Sequence, residues 1–149
     1  MITSFTDQNG FLSNFFFCRV KVHDIEAVTA EHAFQALKTL DNSERHQVLE
    51  CSTPGQAKRM GRRITLRPDW EDIKIDVMRS VVRAKFTQNL ELAARLIRTK
   101  DVPLIEGNNW GDQFWGMTFN QHTQSWEGEN HLGKILMQVR QELQSIRFN

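Results

Sequence analysis

The sequence predicts a helix-rich α+β fold, formed as one compact domain over residues 1–149, with a few short strands. Apolar residues recur at helical spacing in several segments, of which Trp70–Gln88 and the segment from Asn130 onward are the longest. Short runs of β-branched and aromatic residues, bounded by turn formers, lie near the beginning of the chain. A chain of 149 residues suits a single core, and it contains no linker, repeat or low-complexity tract.

The N-terminal third is predicted to combine strands with one helix. Short strands, including Arg19–Val22 and Glu26–Val28, fit the first segment better than a helix does, because tight-turn sequences such as Asn9-Gly10 interrupt it. Thr29 is placed to cap the first helix, which the pattern carries to about Leu40.

The helical pattern then continues to Arg98. The segment Thr53–Gln56 has the form of a capping box with proline at the first helical position. The predicted helices are Ser43–Glu50, a helix from Pro54 to about Gly61–Arg63, Trp70–Gln88, and a helix capped by Asn89 that runs to about Arg98.

The remaining chain is predicted to hold one strand, one irregular stretch and the last helix. Val102–Ile105 is a short apolar run typical of a strand, whereas Glu106–Gly128 is rich in Gly, Asn and Trp and has no helical period. From Asn130 a single apolar stripe follows: Leu132, Ile135, Leu136, Val139, Leu143 and Ile146.

Composition excludes several classes of protein. Lys and Arg number 19 and Asp and Glu 18, so the formal charge is +1, which is not that of a general nucleic-acid binder or a polybasic membrane module. No stretch approaches transmembrane length, and the N-terminus lacks the pattern of a signal peptide. Cys18 and Cys51 are predicted to be two free thiols, and the protein to be cytoplasmic.

The first helix carries a polar stripe. Glu31, Gln35 and Lys38 align at i, i+4 and i+7, opposite an apolar side. The stripe has two interpretations: a solvated face with a weak Glu–Lys interaction, or one wall of a cleft. Phe34 and His32 border it, and aromatic groups beside a carboxylate favour the cleft.

The longest helix places Lys74 and Lys85 inside its apolar arc. Their stems would commonly lie along the apolar surface while the ammonium groups reach water. The alternative is that Lys85 reaches an acidic or phosphate-bearing site, because an ammonium is rarely buried without an anion.

The loop Glu106–Gly116 combines two carboxylates, two indoles and three glycines. Trp110 and Trp115 each offer a flat face on which a base can stack, and Asp112 offers charge. In the alternative interpretation the indoles fill a small core and Asp112 caps a turn.

Two further possibilities concern anions and metals. Asn130 as the cap of a Gly-bearing first turn would present backbone N–H groups to an anion, unless the helix is simply capped without a ligand. The five histidines show no metal-ligand spacing, and no phosphate-binding or nucleophile motif occurs, so no metal or cofactor is expected and hydrolysis would depend on carboxylates.

These segments, taken in order, resemble the NADAR (YbiA-like) family over nearly the whole chain. Any one of them alone is a weak signal, but the ordered set is highly specific. The matching segments are Phe11–Phe15, Ala30–Lys38, Met78 with Ala84–Phe86, Leu104–Glu106, Asp112–Gly116 and Asn130–Arg140.

The resemblance implies hydrolysis of N-glycosidic bonds without a metal or cofactor. It implies active-site roles for Glu31, Asp112 and Trp115. It also implies pocket-shaping or polarising roles for a second set of residues: Asn14, Phe15, Gln35, Lys38 and Lys85. The expected mechanism requires Glu31 and Asp112 to lie near one sugar–nitrogen bond, with Trp115 stacking on the base. Trp110, in the same loop, is expected to bind the substrate.

The expected substrate is a small ribosyl or phosphoribosyl compound. Family members are associated with phosphoribosylamino-pyrimidine intermediates of riboflavin synthesis and with ADP-ribose, including ADP-ribosylated guanine in nucleic acid. The sequence leaves open which of these is the substrate, how Glu31 and Asp112 divide their roles, whether the chain is a non-catalytic nucleotide-binding module, and its oligomeric state.

Overall fold

A computed structural model describes residues 1–147. It divides the chain into two compact units, Asn14–Leu90 and a unit made of Met1–Ser13 with the chain from Glu91 onward. The helix-rich α+β fold class predicted from the sequence is confirmed. Within the described range, every helix is too short or too polar to cross a membrane.

The 14–90 unit begins with an antiparallel hairpin, β1 (Phe17–Val22) and β2 (Ile25–Thr29). Val20 pairs with Ala27, and the register shifts between Phe17 and Val20, so β1 carries a bulge there. Four helices follow: α1 (Ala30–Ala36), α2 (Asn42–Leu49), α3 (Pro54–Met60) and α4 (Trp70–Gln88). Helix α4 packs on β1, and α1 contacts α2, α3, α4 and both strands.

Helix α1 is therefore the centre of this unit, and all seven of its residues are buried. Thr29 caps it as predicted: its hydroxyl oxygen accepts the backbone N–H of His32 at 3.0 Å. The same hydroxyl lies 2.7 Å from Nδ1 of His32, whose Nε2 donates to the carbonyl of Cys51 at 2.8 Å. A small core of Ala36, Val48 and Ala57 joins α1, α2 and α3.

The other unit contains a short 3₁₀ helix, Asp7–Leu12, then α5 (Leu90–Arg98), the hairpin β3 (Thr118–Asn120) and β4 (Ser125–Glu127), and α6 (His131–Arg147). The predicted apolar stripe of α6 is buried in its first half, where Leu132, Ile135, Leu136 and Val139 belong to the core. Ile146, the last residue of that stripe, is 68% exposed near the end of the helix.

Several predictions at element boundaries were wrong. Asp7–Leu12 forms a 3₁₀ helix where strands and turns were expected, and α1 ends at Ala36 rather than near Leu40. Val102–Ile105 is not a strand, because only Leu104 forms a bridge, to Ile2. Asn89 does not cap α5 with its side chain; its amide donates to the carbonyls of Arg19 and Lys85.

Candidate active site

Glu31 lies in the first turn of α1, and its side chain is enclosed. The residue is 7% exposed, and Nε2 of Gln35, one turn further along, donates to its carboxylate at 3.0 Å. The backbone N–H of Glu31 donates to the carbonyl of Asn14 at 3.0 Å. The solvated-face interpretation of the polar stripe was wrong. Gln35 is only 4% exposed, so the stripe holds a buried carboxylate instead.

Asn14 and Phe15 precede β1 and differ in exposure. Asn14 is buried, and its amide donates to Sδ of Met78 on α4 at 3.3 Å. Phe15 is half-exposed. The structure thus places Asn14 beside the start of α1, where its backbone carbonyl contacts Glu31, while the ring of Phe15 is accessible to solvent.

Lys38, the third member of the polar stripe, is half-buried, and its Nζ lies 5.8 Å from the ring centroid of Phe34. Burial lowers the pKa of the Lys38 ammonium, and the negative charge of Glu31 opposes this shift. Three further cations lower this pKa as well: Arg62, Lys58 and Lys74. An anion entering this group of cations would be stabilised by all of them.

Lys85 is the most deeply buried cation of the described chain, at 1% exposure. Its Nζ lies 5.0 Å and 5.7 Å from the ring centroids of Phe86 and Phe16. Burial lowers the pKa of Lys85 to about 8, although the nearby Cys18 thiol raises it slightly. The expectation that both lysines reach water was wrong for Lys85, whereas Lys74 forms a surface ion pair with Glu71.

Asp112 organises the turn that carries Trp115. Its Oδ1 accepts the backbone N–H groups of Phe114 and Trp115 at 3.1 Å and 2.9 Å. Asn108 holds its backbone on both sides, with Oδ1 accepting from Asp112 N at 2.9 Å and Nδ2 donating to Asp112 O at 2.8 Å. Asp112 therefore does cap a turn, as the alternative interpretation held. Within residues 1–147, its second carboxylate oxygen accepts no hydrogen bond.

The two indoles of this loop have different surroundings. Trp115 is half-buried and packs edge-on against Phe114, at 4.8 Å between centroids, and against His131, at 6.2 Å. Trp110 is 65% exposed. Trp115 is thus held at a defined angle, and Trp110 presents most of its surface to solvent.

The start of α6 does not form an anion site. The backbone N–H groups of residues 129–132 donate to the carbonyls of residues 113–116, at distances of 2.7 to 3.2 Å. The side chain of Asn130 bonds the backbone of Leu104 and Glu106. These donors are consumed within the protein, and they fix the loop 112–116 against the helix.

The predicted residues therefore fall into one group in each unit. The 14–90 unit brings together Glu31, Gln35 and Lys38 on α1, with Asn14 beside them, and carries Phe15 and Lys85. The other unit brings together Asp112 and Trp115 and carries Trp110. No cluster of three or more His, Cys, Asp or Glu side chains suited to a metal occurs within residues 1–147.

Sequence reasoning missed Asn108, which holds Asp112 in place. A signal for it exists, because Asn and Asp in a Gly-rich loop commonly bond the backbone of neighbouring residues. It also missed the neighbourhood of Cys18 and Lys85, for which no local pattern exists, because β1 and α4 are far apart in the chain.

The fold and these two groups define a helix-rich α+β protein. It has a buried carboxylate, Glu31, that accepts a hydrogen bond from a side-chain amide, and an aromatic loop that is ordered by Asp112. The model of one protein family, the NADAR domain, matches residues 3–144. The chain therefore belongs to the NADAR domain family.

Similar proteins are known from several bacteria. The N-glycosidase YbiA of Escherichia coli strain K12 is 39% identical over 142 residues, which are 94% of this chain and 85% of that protein. The riboflavin biosynthesis protein VVA0006 of Vibrio vulnificus is 41% identical over 93% of this chain, but the chain spans only 36% of its length.

A solved structure extends the similarity to the fold. The NMR structure of the E. coli protein YbiA matches with a TM-score of 0.83 and 38% identity, covering 100% of this chain and 88% of that one.

Proposed function

We propose that this chain is an N-glycosidase, a hydrolase that cleaves the bond between the anomeric carbon of a ribose and a nitrogen. Water supplies a hydroxyl group to the carbon and a proton to the departing nitrogen. The observation that carries the proposal is the carboxylate of Glu31, held in a buried position by the amide of Gln35. The relatives named N-glycosidase support the same reaction class.

Cleavage of a C–N glycosidic bond develops positive charge on the ribose ring, so a fixed anion stabilises the transition state. Glu31 supplies that anion, or it activates the attacking water as a general base. Burial strengthens both effects, because little solvent screens the charge. A neutral amide such as glutamine can perform neither role.

We assign Asp112 to the ribose hydroxyls or to the leaving group. One of its oxygens orders the turn, which leaves the other to interact with substrate. Trp115, held edge-on by its aromatic neighbours, stacks on the base, and the exposed Trp110 offers a second face.

A phosphorylated substrate fits the cations of the 14–90 unit. Lys38 lies among other cations that destabilise its charged form, and a phosphate would relieve that repulsion. Burial lowers the pKa of Lys85 as well, and a phosphate nearby would stabilise its charged form. Asn14, Phe15 and Gln35 shape the surroundings of Glu31. The proposed substrate is a phosphoribosylamino-pyrimidine, consistent with the riboflavin biosynthesis name of the Vibrio relative.

The test is release of ribose 5-phosphate and free base from a phosphoribosylamino-pyrimidine by the purified protein and by the variant Glu31→Gln. Loss of the charge is expected to lower kcat about 10²- to 10³-fold, with the circular dichroism spectrum unchanged. Glu50→Gln, at an exposed helix end, is the control and should retain full turnover.

Full turnover by Glu31→Gln would remove Glu31 from the mechanism. A parallel assay on DNA carrying ADP-ribosylated guanine distinguishes the second candidate substrate class. Binding of either compound without release of base would instead identify a non-catalytic nucleotide-binding module.

A further inference from the structure

Gln35 on α1 lies against the C-terminal end of α3, within the 14–90 unit. Its Nε2 donates to Glu31, one turn earlier on α1, at 3.0 Å. Its Oε1 is buried and accepts no hydrogen bond from residues 1–147. A reversed amide would point an oxygen at the carboxylate, so the chemistry fixes which end faces Glu31. A buried acceptor without a partner is unfavourable, which indicates that the donor end accounts for the presence of glutamine here.

Gly61, at the C-terminal end of α3, leaves the space that the Gln35 amide occupies. A Cβ at position 61 would lie 1.9 Å from Oε1 and 2.7 Å from Cδ of Gln35. The backbone at Gly61 has φ −60° and ψ −18°, which any residue adopts. Glycine is therefore required by the close approach of Gln35 and not by backbone conformation.

We propose that Gln35 and Gly61 are positioning residues for Glu31, and that Gln35 does not contact the substrate. Gly61 provides the space in which the Gln35 amide lies, and the amide holds one oxygen of the catalytic carboxylate. Both ends of the amide are enclosed by protein, since Gln35 is 4% exposed, and the hydrogen bond that the amide makes is to Glu31. This inference rests on the catalytic role of Glu31 proposed above.

The first experiment compares two glycines of the same helix. Gly61→Ala forces the Gln35 amide to move, whereas a Cβ at Gly55 would meet only Arg59 and Thr53, at 3.8 and 3.9 Å. We expect Gly61→Ala to lower kcat roughly tenfold or more, because a charge-assisted hydrogen bond to the catalytic group is lost. KM should change by less than about twofold. Gly55→Ala should match the unaltered protein.

A double-mutant cycle tests whether Gly61 acts through Gln35. Gln35→Ala removes the two amide atoms that the new methyl group would strike, Oε1 and Cδ. In that background Gly61→Ala should lower kcat no further, since the two changes break the same interaction. An undiminished effect of Gly61→Ala in the Gln35→Ala protein would overturn the proposal, as would equal kcat values for Gly61→Ala and Gly55→Ala.

The variant Gln35→Glu adds a second measurement, the pH dependence of the rate, which would not change if the role of Gln35 were purely structural. It places a second carboxyl group against Glu31, and two neighbouring carboxylates favour sharing one proton. The acidic limb of the pH–rate profile should then move to higher pH by about one unit or more. Lys38, whose charge interacts with that of Glu31, opposes this movement without removing it.

An unmoved acidic limb in Gln35→Glu would show that Gln35 does not face the catalytic carboxylate. This result is independent of the test of the proposed function. The catalytic role of Glu31 is contradicted by full turnover in Glu31→Gln, whatever the Gln35 and Gly61 variants do. If Glu31→Gln is inactive while the Gly61 and Gln35 variants behave as the unaltered protein, the positioning role alone is wrong.

Discussion

Lys85 shows how one buried cation affects the stability of the whole protein. At 1% exposure, its pKa falls to about 8 in the folded state, from an ordinary value near 10.5. Between these two values the unfolded chain binds a proton that the folded chain does not, so stability rises with pH across that window. Below pH 8 the full penalty remains, on the order of 3 kcal/mol.

We therefore expect Lys85→Met to be more stable than the unaltered protein at pH 7 and to lack the rise in stability between pH 8 and 10.5. Urea unfolding at several pH values measures both effects. The comparison belongs in a Cys18→Ala background, because burial raises the pKa of the Cys18 thiol and Lys85 lowers it. Parallel stability–pH curves for the two proteins would contradict a depressed Lys85 pKa.

The buried state of Lys85 could not be inferred from its own helix. Its position in the apolar arc is the same kind of position as that of Lys74, which nevertheless reaches the surface and pairs with Glu71. What separates them is the packing of Phe16 and Cys18 around Lys85, which depends on a strand more than sixty residues earlier. Local periodicity contains no information about that neighbour.

At the scale of elements, the N-cap of α1 should contribute more to the free energy of unfolding than the N-cap of α3 does. Thr29 and Thr53 both accept a backbone N–H, but Thr29 is fully buried and its hydroxyl also bonds the ring of His32. We expect Thr29→Ala to lower the free energy of unfolding by about 2–4 kcal/mol, and Thr53→Ala by about 1 kcal/mol. Urea denaturation of the two variants measures the difference, and equal losses would show that the His32 contact contributes nothing.

Elements whose own sequence contains an apolar stripe or a capping residue were predicted well. Helix α4 has the bounds that its apolar stripe and the preceding Pro68-Asp69 indicated, and Thr29 and Thr53 cap their helices. Elements that depend on distant partners were not. Leu104 is paired by Ile2, and the three-residue strands β3 and β4 are too short to show alternation.

The candidate site follows the same division. Glu31, Gln35 and Lys38 could be selected as a stripe, but whether the stripe faces solvent or protein depends on α3 and the segment at Asn14. The loop around Asp112 could be selected by its composition. The anion site proposed at Asn130 was wrong because the carbonyls that accept its N–H groups lie 14 to 17 residues earlier in the chain.

At the scale of the whole molecule, the prediction that residues 1–149 form one domain remains to be tested. One unit consists of Met1–Ser13 and the chain from Glu91 onward, and these two segments are covalently connected only through Asn14–Leu90. We propose that the chain unfolds in one cooperative transition. In Trp70→Phe, the remaining tryptophans lie outside the 14–90 unit, so their fluorescence reports on the other unit: Trp110, Trp115 and Trp126.

Far-UV circular dichroism of the same variant is dominated by helices α1 to α4 of the 14–90 unit and by α6. The fluorescence and circular dichroism midpoints should coincide in urea. Two separated midpoints, or a biphasic circular dichroism curve, would indicate two independently folding domains.

The backbone hydrogen bonds between residues 113–116 and residues 129–132 also determine where this protein can be redesigned. Because main-chain groups alone make these contacts, the side chain of Gln113 can be randomised while the segment keeps its register, whereas Phe114 must be kept because its ring packs against Trp115. Gly116 and Gly128 must be left unchanged, since an added methyl group at either would strike a main-chain oxygen, at 2.1 Å and 2.7 Å. A library aimed at new base preferences can therefore vary position 113 within a segment whose backbone is held by four hydrogen bonds.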